Sequence, residues 1–147
     1  MRTLIITIFM TLATSALAQE SLMINNAFEF IPESDIHNEY VRLTGESLKQ
    51  ANGITLFMSL TVSDSPKHVK SIRDMALVDG EKATEKKTIV RDGETVACYF
   101  QLPPAVSNSN INRFILYRKK DDNCAILIYM EGTTTLDELV KIKLNNK

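Results

Sequence analysis

"NRFILYRKKDDNCAILIYM", residues 112–130, holds two apolar runs on either side of a charged turn. In each run both faces of an extended chain are apolar. Phe114 and Leu116 alternate with Ile115 and Tyr117, and Ile126 and Ile128 alternate with Leu127 and Tyr129. A strand with two apolar faces belongs inside a sheet that is covered on both sides, and the short polar connection "KKDDN" makes these two strands antiparallel neighbours. Helices supply one cover. The N-terminal helix, a second copy of the chain or a ligand are each able to supply the other.

Upstream of this pair, "KKTIVRDGETVACYFQL" (86–102) sets Asp92-Gly93 between two β-rich runs, a strong short-range signal for a hairpin. The run ends at Pro103 and Pro104, which have no amide N–H to continue a ladder. The tract Ser107 to Asn112 then offers small polar side chains that bond their own backbone. This loop exceeds the usual two to five residues of a hairpin, and long loops are enriched in binding roles. It carries no acid, base, Cys or His before Arg113, so it reads as a connector or a contact surface rather than a catalytic loop. If it closes a hairpin, four antiparallel strands follow one another.

Downstream, "TTTLDELVKIKL" opens with Thr135 and Glu138 at capping-box spacing and carries Leu136, Leu139, Val140 and Ile142, which predicts a short terminal helix on the sheet. Towards the N-terminus, "ITLFMSLTV" (54–62) alternates Leu56, Met58, Leu60 and Val62 with mostly polar neighbours, the period of a half-buried strand. The next stretch changes period, with Val69, Ile72, Met75 and Ala76 on one stripe. Ser65 before Pro66 marks the start of that helix. "YVRLT" (40–44) reads as a short strand, "GESLKQANG" (45–53) as a turn or brief helix, and "PESDIHNE" (32–39) as a polar loop. "SLMINNAFEFI" (21–31) predicts an amphipathic helix of about three turns through Ile24, Ala27, Phe28 and Ile31, closed by Pro32. The fold class expected is therefore α+β: an antiparallel sheet of about five or six strands with two or three helices packed mainly on one face.

The first 18 residues, "MRTLIITIFMTLATSALA", have one early Arg, an apolar run from Leu4 to Leu12 and small residues ending at Ala18. That is the pattern of a cleaved secretory signal, with the mature chain starting at Gln19, residues 19–147 forming one domain, and a periplasmic or secreted address. No Cys stands at the cleavage site to carry a lipid, and no later run is long enough to be an integral membrane span. The chain has 17 basic and 18 acidic residues; loss of Arg2 leaves 16 against 18. Basic runs such as "EKK" and "YRKKDD" adjoin acids, so no positive stripe for nucleic acid forms. In an exported protein Cys98 and Cys124 invite a disulfide, yet each lies in an apolar run where a free Cys acts as a small hydrophobe. Both alternatives stay open, since bridging needs Cα atoms within about 7 Å.

Candidate chemistry is sparse. His37 lies near Asp35 and Glu39, but transition-metal sites usually need three or four ligands, and the segment reads as a solvated acidic loop. His68 falls in the first turn of the Ser65 helix, at the surface. Cys98 sits in a strand interior, which suits a packed thiol better than a nucleophile. Asp121-Asp122 lies in a tight turn, where solvated carboxylates keep ordinary pKa values. Tyr99, Phe100 and Tyr117 fit a core or cross-sheet role better than a binding platform. No catalytic, cofactor-binding or metal-binding residue is assigned, and no cofactor is expected.

"YFQLPP", "NRFILYR" and "AILIYMEGTTTLDELVKI" together resemble a family of small exported proteins of unknown function common in Bacteroidetes, with QLPP, NRFIL and IYxEG motifs in order. The likeness runs from about Gly45 onward and includes "GESLK" and "LFMSL". The resemblance implies an envelope location and an α+β domain, and brings no catalytic residue with it. The function expected from the residues is a non-catalytic envelope or secreted protein acting through contact with an unknown envelope or extracellular protein, with a homodimer as one form. The alternative is a small-ligand or lipid carrier with a pocket between the sheet and the N-terminal helix. A hydrolase with an unrecognised site is the third reading, with His37, His68 and Cys98 as its sole candidate residues.

Overall fold

The structure, a computed structural model, describes residues 22–32, 37–48, 53–106 and 109–145, leaving out the side chains of Val140 and residues 142–145. The segment expected to be a signal, its expected cleavage point, Asp35 and residues 107–108 of the proline loop lie outside the described residues. In chain order the elements are α1 (Ile24–Phe30), β1 (Glu39–Thr44), a 3-10 turn (Gly45–Leu48), β2 (Ile54–Val62), α2 (Pro66–Asp79), a second 3-10 turn (Gly80–Lys82), β3 (Glu85–Arg91), β4 (Glu94–Leu102), β5 (Asn112–Asp121), β6 (Cys124–Gly132) and α3 (Leu136–Asn145). All six strands form one antiparallel sheet in the order β1-β2-β6-β5-β4-β3.

The two strands with doubly apolar sequences, β5 and β6, occupy the centre of that order. Residues 114–117 are buried without a break, as are residues 127–130. The even/odd alternation divides the core in two. On one face Leu60, Val62, Cys98, Phe100, Ile115, Tyr117, Leu127 and Tyr129 pack with Ile24, Ala27 and Phe28 of α1 and Val69, Ile72 and Ala76 of α2. On the other, Phe114, Leu116, Ile128 and Met130 pack with Leu136 and Leu139 of α3. The helices are thus divided, two on one face and the third on the opposite one. Phe100 and Tyr117 are core residues of the α1–α2 face, and Tyr99 packs half-buried on the α3 face.

Local signals explain the boundaries. Ser65 accepts a hydrogen bond from the His68 amide at 3.3 Å and Pro66 follows at the first helical position, so α2 starts where a cap and a preset φ coincide. Thr135 accepts from the Glu138 amide at 3.3 Å, while the Glu138 carboxylate takes the Thr134 hydroxyl at 2.8 Å, a variant of the expected capping box. Asp92 and Gly93 both have positive φ, 52° and 77°, which matches the twist of a two-residue hairpin between β3 and β4.

Helix α1 has seven residues, shorter than the three turns expected, and no side-chain cap of its own. Its N-terminal amides are taken instead by Asp79 at the end of α2: Met23 N–H and Ile24 N–H donate to the two carboxylate oxygens at 2.8 and 2.9 Å. A helix this short is unstable alone, so its existence depends on the apolar stripe Ile24–Ala27–Phe28–Ile31 and on this cap from 55 residues away. Close packing fixes the same end of α2. A Cβ on Gly80 would run into the Phe100 ring, so only glycine lets the chain pass over β4 there.

Candidate functional site

The register of the sheet brings two rows of side chains together on the α1–α2 face. One row is Arg42, Met58 and Tyr129, contributed by β1, β2 and β6; the next is Leu56, Glu131 and Arg113, contributed by β2, β6 and β5. These rows floor a cleft of about 500 Å³. Leu22 and Asn25 at the start of α1 form one wall, and Ala105, Val106, Ser109 and Ile111 of the proline loop form the other. The loop that separates β4 from β5 is therefore more than a spacer, since it makes one side of the concave surface.

Arg113 ties that wall to the floor. Its Nε donates to the Pro103 carbonyl oxygen at 2.8 Å, so the strand that begins β5 holds the loop leaving β4. Beside it the Tyr129 hydroxyl donates to Glu131 at 2.8 Å. Burial and the neighbouring Glu131 carboxylate hold the Tyr129 phenol above its ordinary range, against the pull of Arg113. The same guanidinium reaches Asp79 electrostatically. Burial raises the Asp79 carboxyl, while the two α1 amides and the charges of Arg113 and Lys82 oppose the rise. The cleft thus combines an apolar floor at Leu56 and Met58 with two cations, Arg42 and Arg113, and one carboxylate, Glu131.

The residues singled out from the sequence lie elsewhere. His37 is exposed in the loop before β1, His68 is in the first turn of α2, and Cys98 is fully buried in β4 against the α2 side. These occupy three separate elements, and none lines the cleft. Desolvation pushes the Cys98 thiol up to about 12, which keeps it protonated and unreactive at neutral pH. Both cysteines are free. Cys98 is level with Tyr117 and Leu127, two strands across and three residues along from Cys124, a separation of roughly 14 Å that no disulfide spans.

In the Asp121-Asp122 turn, Asp122 departs from the ordinary titration expected. Asp122 pairs with the Lys119 ammonium at 2.7 Å, which holds its carboxyl below the usual range, and Asp121 accepts the Asn123 amide at 2.8 Å. Lys119 also reaches Glu94 at 3.0 Å, and Glu94 takes Arg73 of α2 at 2.6 Å. This chain of ion pairs pins α2 to the far end of the sheet. Among the described residues no group of three or more His, Cys, Asp or Glu side chains is placed to hold a metal ion, and no helix is long and apolar enough to cross a membrane.

Sequence reasoning missed Arg42, Arg113, Tyr129 and Glu131 as members of one surface. The proline loop was the one visible signal, because its length set it apart from a tight hairpin. The chain belongs to a family of unknown function, DUF6108, whose model matches residues 11–143. No curated protein and no solved structure matches it.

Proposed function

We propose that this DUF6108 chain is a non-catalytic binding module of the cell envelope or exterior, acting through contact with another protein, a segment of which enters the cleft between α1, the sheet and the proline loop. The observation that carries this reading is the composition of the cleft. Half of its lining is apolar and half is polar or charged, contributed by α1, β1, β2, β5, β6 and the loop. A peptide segment presents the same mixture, with backbone donors and acceptors next to side chains, whereas a lipid chain is held best by an apolar lining. The exported address rests on the signal pattern of residues 1–18, and the kinship with exported Bacteroidetes proteins on the motifs quoted above.

A photo-crosslinking residue at position 106, which is 58% exposed on the rim, tests this in cells, with position 70 on the outer side of α2 as the control. A discrete protein adduct from position 106 only, lost when Met58→Lys fills the floor, supports the reading. Equal adducts from both positions, or an adduct indifferent to Met58→Lys, count against it. The small-ligand reading has one observation in its favour, the position of the cleft between the sheet and the N-terminal helix. Native mass spectrometry of the purified protein that finds a stoichiometric small mass, displaced by Met58→Lys, favours it over the first.

A further inference from the structure

The two edges of the sheet are unlike. At one edge β3 carries Lys86 and Lys87, and its register with β4 shifts between Ile89 and Val90. Lysines and bulges are the devices that keep an edge strand from pairing with another chain. At the other edge β1 pairs with β2 through six successive residues, Glu39 to Thr44, with no register shift. It contains no Lys, Pro or Gly. An edge strand in a regular antiparallel pair turns the N–H and C=O groups of alternate residues outward.

We propose that β1 pairs antiparallel with β1 of a second copy about a two-fold axis at Val41, joining two six-stranded sheets into one. Antiparallel pairing places residues of the same face opposite each other, and this register sets Val41 against Val41, Tyr40 against Arg42 and Glu39 against Leu43. The Tyr40–Arg42 pair occurs twice and is self-complementary, a cation next to an aromatic ring on the same face of the joined sheet. Tyr40 is suited to it. One side of its ring lies against Phe28 of α1, centroids 6.0 Å apart, and the side chain remains 38% exposed. The alternative centre at Arg42 would oppose two guanidinium groups, and that at Tyr40 would leave Arg42 without its aromatic partner. Because Arg42 lines the cleft, Tyr40 of the second copy comes to stand beside each cleft, and the dimer carries two clefts on one continuous face.

Sedimentation equilibrium of the purified protein, with substitutions of opposite sign at one position, tests the register. Tyr40→Glu places a carboxylate opposite Arg42 and Tyr40→Arg places a like charge there, while both lose the Phe28 contact equally. The dimer dissociation constant should be roughly tenfold lower for Tyr40→Glu than for Tyr40→Arg, from two cross-strand charge pairs. Val90→Glu on the exposed β3 edge should leave it unchanged. A protein that stays monomeric at millimolar concentration, a dimer blind to the sign at position 40, or one that responds to Val90→Glu overturns the proposal.

Discussion

Asp79 links two helices that the chain separates by more than fifty residues, and its carboxylate is the clearest single contribution to the fold. Both oxygens are engaged by α1 amides in a buried setting, so Asp79→Ala leaves two donors without partners. It should cost about 2 kcal/mol in denaturant unfolding. The pH dependence has a definite sign. Burial raises the folded pKa above the ordinary carboxyl value of 3.8, so ionisation is harder in the folded chain than in the unfolded one. The stability this group contributes is full below the unfolded value and is lost as pH rises through the raised folded value. The stability gap between the natural protein and Asp79→Asn should therefore be larger at about pH 3.5 than at pH 7. A gap that grows towards neutral pH would refute the assignment. Residue chemistry also separates the two thiols. A thiol reagent should label the half-buried Cys124 in the native protein and reach the enclosed Cys98 only on unfolding, as read by peptide mass spectrometry.

At the level of elements, the legible parts were those specified by local pattern. The doubly apolar runs fixed β5 and β6 at the sheet centre, and Ser65-Pro66 and Asp92-Gly93 marked a helix start and a hairpin. What stayed hidden depends on register and docking. An amphipathic terminal helix fits either face of a sheet whose central strands are apolar on both, so the side taken by α3 could not be read from Leu136 and Leu139. Arg42, Glu131 and Arg113 become neighbours only once the strand order β1-β2-β6-β5 is known, and no local period encodes that order. The same holds for the cap on α1, which comes from the far end of α2. The Asp92-Gly93 turn, by contrast, is a local device with a local cost. Gly93→Ala forces a side chain into φ +77° and should lower stability by about 1 kcal/mol without altering the cleft, measurable as a shift in denaturant midpoint.

For the whole molecule, one sheet serves two cores, and β5 and β6 belong to both. Leu127 faces α1 and α2, while Leu116 on the neighbouring strand faces α3, and each is almost wholly enclosed. Truncating either to alanine should cost about 2–5 kcal/mol, since a buried leucine loses its transfer energy and leaves a cavity. The two losses bear on how the faces are coupled. Lys87 of β3 holds Asp137 of α3 at 2.8 Å, and the Leu136 amide donates to the Gln101 side chain at 3.2 Å, so α3 is fastened to the edge strand β3 and to β4, whose other side carries α2. Loosening the α3 face should then unravel the α1–α2 face as well. Tyrosine is the available probe, since the chain has four Tyr and no Trp, with Tyr117 and Tyr129 on one face and Tyr99 on the other. Denaturation followed by tyrosine fluorescence and by far-ultraviolet circular dichroism should give coincident single transitions for the natural protein, Leu116→Ala and Leu127→Ala, displaced but not split. A biphasic curve for Leu116→Ala alone would show that α3 and its face melt as a separate unit. The cleft, built entirely on the α1–α2 side, would then keep its shape after that first step.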